Sequence, residues 1–190
     1  MHIKRNYQIT EYCHHFLRDY IHEGDCCIDA TCGRGHDTEF LCLMAGKRGR
    51  VYGFDIQPEA VEQTKDRLLR SGCAEQAVLI CDGHENMDRY VEEEAAVIMF
   101  NFGYMPGGDH MIATKPGTSL KAVEKGLKLL KTGGVMSLCI YSGGDTGYEE
   151  RDALLAYLKE LDAKQWLVIV HSYYNRRNDP PLPVFVIRLL

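Results

Sequence analysis

Several things are scarce in this chain of 190 residues, and each scarcity narrows what it can be. No apolar run approaches the roughly 20 residues that a membrane-spanning helix requires. The opening stretch, Met1-His2-Ile3-Lys4-Arg5-Asn6, lacks the apolar core of a signal peptide, so a cytoplasmic protein without membrane contact is expected. Positive charge is in deficit. With 22 Lys and Arg against 27 Asp and Glu, the net charge of −5 argues against non-specific coating of nucleic acid. No repeat, low-complexity segment or linker divides the chain, and a single domain over residues 1–190 is expected. The eight cysteines contain no Cys-x-x-Cys pair. Cys26-Cys27, Cys81 and Cys139 lie in apolar, strand-like runs that read as buried, where a free thiol packs as a small hydrophobe. Cys13-His14-His15 is the one ligand-like cluster, and its spacing does not suit a closed site. No metal is expected.

What is present is an alternation of short apolar runs and amphipathic stretches. Ile9, Cys13, Phe16, Leu17, Tyr20 and Ile21 recur at helical spacing and predict a helix over 7–22, a segment (1–24) packing on the core. Strands are predicted at Cys26–Ile28, 51–56, 78–81, 95–100 and 135–141. Helices are predicted after residue 35 to about Ala45, after Pro58, briefly over 85–91, over 117–131 and after Gly147. Gly133-Gly134 reads as the stop of the 117–131 helix. Residues 165–174 and 182–190 read as two strands whose link is too short for a crossover helix, so the last strand returns antiparallel. The sum is an α/β protein: a Rossmann-like, doubly wound, seven-stranded sheet with an antiparallel last strand.

The organising stretch is Asp29-Ala30-Thr31-Cys32-Gly33-Arg34-Gly35-His36-Asp37-Thr38, between the first strand and the next helix. Gly33 and Gly35 permit a tight turn and close approach to a ligand, and the helix that follows points free N–H groups into the turn. Two ligand classes use such a loop with an acid after the second strand. A dinucleotide sets its pyrophosphate on the helix N-terminus. S-adenosylmethionine carries a sulfonium, an ammonium and a carboxylate instead. Asp29, directly before the turn, would repel pyrophosphate and attract the ammonium, directly or through water. Asp55 fits ribose hydroxyls, with Gln57 as support, and Asp82-Gly83-His84 falls where the adenine would lie. Capping of helices is the plainer role open to Asp37 and Asp82.

Asn101-Phe102-Gly103-Tyr104 follows the fourth strand and is similar to the Asn-Pro-Pro-Tyr motif of amine and base N-methyltransferases. The Asn101 side-chain oxygen and a neighbouring backbone carbonyl can accept N–H groups of an amine and so aim its lone pair. Tyr104 can stack on a flat base. A simple strand-end turn with Asn as turn former is the alternative.

Together these residues, with Phe54-Asp55-Ile56-Gln57, Asp82-Gly83-His84-Glu85, Pro106-Gly107-Gly108-Asp109, Asn175 and Pro180-Pro181, resemble the rRNA methylase family of class I methyltransferases. Within it the chain looks like the bacterial tRNA 5-(aminomethyl)-2-thiouridine methyltransferases. The resemblance implies S-adenosylmethionine as donor and the exocyclic amine of a tRNA wobble uridine as acceptor. It implies cofactor contacts from Asp29, Thr31, Gly33, Gly35, Asp37, Thr38, Asp55, Gln57, Asp82, Gly83, His84 and Asn101, and catalytic roles for Asn101, Phe102, Tyr104 and Asp109; His110, in the loop after Asp109, is a catalytic candidate that the resemblance itself does not carry. It also makes a homodimer conceivable. Gly143-Gly144 departs from the Gly-His often found in the family after the fifth strand. An alkyl amine must lose a proton before attack, and Asp109, His110 or water can take it. Tyr7 and Tyr12 either close over the cofactor or pack in the core. Arg176 and Arg177 are candidate phosphate contacts, whereas Lys121, Lys125, Lys128 and Lys131 read first as a solvated helix face. Other readings are an rRNA base or small-molecule amine as acceptor, an NAD-binding oxidoreductase, and a non-catalytic RNA-binding module.

Overall fold

Parallel strands covered on both faces carry continuous apolar sequence, and the central strands of this protein do. The structure, a computed structural model, describes residues 8–102, 114–142, 147–176 and 180–190. Strands β1 (Cys26–Asp29), β2 (Arg50–Asp55), β3 (Ala77–Cys81), β4 (Ala95–Phe102), β5 (Leu130–Ile140), β6 (Trp166–Val170) and β7 (Leu182–Arg188) form one sheet in the order β3-β2-β1-β4-β5-β7-β6. β7 alone runs against its neighbours β5 and β6. This is the doubly wound, seven-stranded arrangement with an antiparallel last strand that the pattern predicts. The helices are α1 (Ile9–Leu17), α2 (His36–Ala45), α3 (Pro58–Ser71), α4 (Pro116–Leu129) and α5 (Gly147–Lys159).

Side-chain alternation along the strands sorts the core into two layers. Ile28, Phe54, Ile98, Phe100, Phe102 and Leu138 face α4 and α5. Cys27, Val51, Val97, Met99, Val135, Cys139 and Phe185 pack with residues of α1, α2 and α3. By the same alternation Asp29, Asp55 and Asn101 belong to the second side, at the carboxyl ends of β1, β2 and β4.

Several boundaries differ from the sequence pattern. The first helix is shorter than expected: α1 ends at Leu17 and continues as a 3-10 turn over Arg18–Tyr20. Residues 84–89 likewise form a 3-10 turn. β4 extends two residues further than its apolar run, because Asn101 and Phe102 still pair with Cys139 and Ile140 of β5. Gly133-Gly134 does not stop α4, which has already ended at Leu129. It forms an irregularity within β5, where Gly133 takes φ +77° and a Cβ on Gly134 would lie 2.9 Å from the Ala96 carbonyl oxygen. Cys81 is exposed rather than buried, since it ends β3 at the sheet's edge.

Candidate functional site

The backbone swings across the sheet immediately after β1. Ala30 N–H donates to Met99 O at 2.9 Å and Cys32 N–H to Phe54 O at 2.8 Å, so the turn bridges from the β4 side to the β2 side. Both glycines of the turn have positive φ, Gly33 at +50° and Gly35 at +76°. Their surroundings differ. A Cβ on Gly33 would meet nothing nearer than 3.8 Å, whereas one on Gly35 would lie 2.9 Å from Thr64 Cα in α3. Gly33 is the glycine open to a ligand, and Gly35 is demanded by helix packing. Helix α3 secures the turn from outside. Thr64 Oγ1 donates to Gly33 O at 3.0 Å, and Arg67 donates to Arg34 O at 2.7 Å and pairs with Glu39 at 2.9 Å.

Three carboxylates surround this turn. Asp29 is fully buried and accepts Thr38 Oγ1–H at 2.6 Å and Thr31 N–H at 3.2 Å. Burial, and then the charge of Asp37, raise its carboxyl pKa well above the ordinary carboxylate range. Asp29 is therefore engaged with Thr31 and Thr38 and offers no exposed surface. Asp55 accepts Gly33 N–H and Gln57 N–H, each at 3.0 Å and one on each oxygen. It ties the turn to the end of β2 and keeps further acceptor positions. Asp37 has one oxygen 2.5 Å from His14 Nε2 and the other bonded to the Asn101 side chain. Three acids around one helix start oppose a pyrophosphate and suit a cationic group.

The Asp82-Gly83-His84 segment is internally satisfied. Asp82 accepts Tyr90 O–H at 2.8 Å, Asn86 Nδ2–H at 3.0 Å and Gly83 N–H at 2.7 Å, which hold its carboxyl below the ordinary range. A Cβ on Gly83 would strike the Glu85 carboxylate, so this glycine makes room for a neighbouring side chain. His84 is buried edge-on to Phe100 and Phe102, with Nδ1 3.3 Å from Ala30 O, and burial lowers its pKa.

Asn101 is held on two sides. Its backbone N–H donates to Thr31 Oγ1 at 2.7 Å, and its Nδ2 donates to Asp37. A carboxylate only accepts, which fixes which end of the amide is nitrogen. The remaining atom, Oδ1, is buried and accepts no hydrogen bond among the described residues. A buried acceptor without a partner is costly and uncommon. It is suited to an N–H brought by another molecule. Phe102 alternates to the opposite side of β4, fully buried and stacked on Phe100 with centroids 5.0 Å apart. It shapes the core beneath the site. Tyr104, Asp109, His110, Tyr7, Arg177 and Gly143-Gly144 lie outside the described residues. Arg176 is exposed.

Sequence reasoning missed what α1 brings. His14 reaches Asp37 and stacks flat on Phe40 with centroids 3.9 Å apart; Tyr12 O–H bonds His171; Cys13 Sγ lies 3.5 Å from Cys139 Sγ. The pairing of a helix histidine with an acid 23 positions later has no local signal. The lysines do not form one free face. Lys125 donates to Glu85 O and pairs with Asp88 at 2.7 Å, and Lys131 lies in β5 paired with Asp25 at 2.5 Å. Among the described residues no group of three or more His, Cys, Asp or Glu side chains could hold a metal ion.

Comparison with known proteins agrees with this geometry. Residues 51–187 match the family model described as "Putative rRNA methylase". The chain is 37% identical over 187 residues to the tRNA (mnm(5)s(2)U34)-methyltransferase, chloroplastic, of Arabidopsis thaliana, covering 93% of this chain and 67% of that protein. A "putative rRNA-methylase" from Clostridium thermocellum superposes with a TM-score of 0.93 at 41% identity, covering 95% of this chain and 97% of the other. A "putative methyltransferase" from Streptococcus mutans in complex with SAH gives a TM-score of 0.88 at 35% identity, covering 96% and 98%.

Proposed function

This chain belongs to the rRNA methylase family and is an S-adenosylmethionine-dependent methyltransferase, and on that premise we propose that its acceptor is the exocyclic amine of 5-aminomethyl-2-thiouridine at the tRNA wobble position. The observation that carries the reading is the buried, unpartnered Oδ1 of Asn101 beside a turn ringed by carboxylates. The Arabidopsis relative's named substrate supports the choice of acceptor.

The residues suit the donor. Gly33 leaves space at the turn, Asp55 keeps acceptor positions for sugar hydroxyls, and Asp29, Asp37 and Asp55 favour positive charge over phosphate. When bound, the cofactor would supply a methyl group on a cationic sulfur, the C–S bond breaking and the neutral thioether leaving as the amine lone pair takes the methyl carbon in line. The chain's part is orientation. Asn101 Oδ1 accepts one N–H of the amine, directing the lone pair and stabilising the positive charge that grows on nitrogen. Thr31 and Asp37 keep Asn101 from turning away.

The test uses labelled S-adenosylmethionine with two tRNA preparations, one carrying and one lacking the aminomethyl group. Label is expected only in the first, at the wobble uridine. Equal labelling of both removes the substrate assignment. Label in rRNA or a free amine instead identifies a different acceptor for the same chemistry.

A further inference from the structure

The amide of Asn101 is held by Asp37, and Asp37 is held in turn by a residue of the first helix, α1. His14 Nε2 lies 2.5 Å from Asp37 Oδ1, while Asp37 Oδ2 accepts from Asn101 Nδ2. The Asp37 side chain is 7% exposed, so these two donors are not exchanged freely for water. Since Asp37 can only accept, His14 carries its hydrogen on Nε2. The imidazole is itself fixed by stacking on Phe40, with an interplanar angle of 6°. The chain of contacts runs from α1 through α2 to the end of β4, and it terminates at the unpartnered Oδ1.

We propose that His14 is a positioning residue for methyl transfer: its N–H fixes the Asp37 carboxylate, which fixes the Asn101 amide with Oδ1 turned toward the acceptor amine. The inference rests on Asn101 as the residue that orients the acceptor. Without the donor at position 14, Asp37 can rotate toward Thr38 or solvent, and the Asn101 amide loses the contact that fixes the place of Oδ1. Misaligning an orienting group lowers the rate of the chemical step by about tenfold to a hundredfold. Cofactor affinity should be little affected, because the turn and Asp55 are untouched and Asp37 keeps its charge beside the helix start. Seated α1 is thereby a condition for turnover, since His14 reaches Asp37 only when the helix lies on β5 and β7.

Two substitutions separate donation from packing. His14→Phe keeps a flat ring against Phe40 and removes the N–H. His14→Gln loses the ring and keeps an N–H donor at equal reach. Turnover with tRNA, SAH affinity by calorimetry, and the Asn101 side-chain amide signals by nitrogen–proton NMR are measured for each. The expected result is that His14→Phe binds SAH as wild type does, lowers kcat about tenfold to a hundredfold and moves the Asn101 amide signals, while His14→Gln recovers most of the loss. In an Asn101→Ala background, His14→Phe should add nothing further. The proposal is overturned if His14→Phe turns over normally while His14→Gln is impaired, or if the Asn101 signals stay in place in His14→Phe. Should wild-type protein leave aminomethylated tRNA unlabelled, the substrate assignment fails, and the NMR signals alone decide whether His14 positions Asn101.

Discussion

Thr31 Oγ1 accepts the backbone N–H of Asn101 at 2.7 Å, so the turn after β1 is fastened directly to the carboxyl end of β4. The same threonine donates its own N–H to buried Asp29 at 3.2 Å. Thr31→Val keeps the shape and removes the acceptor. It should cost about 1 kcal/mol in denaturant unfolding, the lower end for stranding a part-buried donor, and should lower turnover as well. Unchanged stability and turnover would show that the bond has no energetic role.

Asn101→Ala removes the unpartnered oxygen and the donor to Asp37 together. SAH affinity should stay close to wild type, because the turn, Asp55 and Gly33 are untouched. Turnover should fall by about a hundredfold, the order lost when a preorganised polar contact to the reacting group is deleted. Calorimetry and single-turnover labelling read the two effects separately. Wild-type turnover would take Asn101 out of the mechanism.

The two glycines of the turn should respond differently to alanine. Gly35→Ala meets both a left-handed φ and the Thr64 backbone at 2.9 Å, so it should destabilise the fold by more than about 1 kcal/mol. Gly33→Ala has the same kind of φ and open space, so its main effect should be weaker SAH binding. Equal loss of melting temperature in both variants would contradict this division.

A pH effect follows from Glu150, buried at the start of α5 and accepting Ser119 O–H at 2.6 Å and Thr114 O–H at 2.8 Å. Burial raises its carboxyl pKa above the ordinary value, against the two hydrogen bonds. A raised folded-state value means that the native protein holds the proton more tightly than the unfolded chain. Its stabilising contribution is complete below the ordinary carboxylate pKa and is lost as pH rises through the raised one. Glu150→Gln keeps the acceptor and cannot ionise. Its melting temperature should fall less than that of wild type across this rise in pH. Parallel curves would remove Glu150 as a source of the dependence.

The order of elements, the turn at Gly33 and the acids Asp29 and Asp55 at the ends of β1 and β2 are legible in the sequence because strand alternation and glycine chemistry are local. The end of β4 is less so: Asn101 reads as the residue after a strand because it is polar, yet its ladder partner Cys139 keeps it in the strand. Gly133-Gly134 looks like a helix stop and is an irregular stretch of β5, since only the partner strand reveals the shifted register. His14 is illegible for a stronger reason. Its partner Asp37 is brought to it by the packing of α1 over the sheet, which leaves no periodic or spaced trace. Phe102 shows how little adjacency says of side chains, since strand alternation sends its ring to the opposite side of β4 from the Asn101 amide.

β6 and β7 pair as antiparallel neighbours, and α1 covers the sheet there, with Phe16 stacked on Phe185 at 3.8 Å and Tyr12 bonded to His171. This has a consequence for the order of folding during synthesis. A nine-residue helix is not stable in water by itself, and its seat includes β7, which leaves the ribosome long after α1 does. The seat of the helix that carries His14 is thus completed only when β7 is added, so its docking is expected as a late, long-range step of folding. A nascent chain stalled before Leu182 should show α1 amides exchanging freely with solvent, and the same amides should become protected once β7 is released.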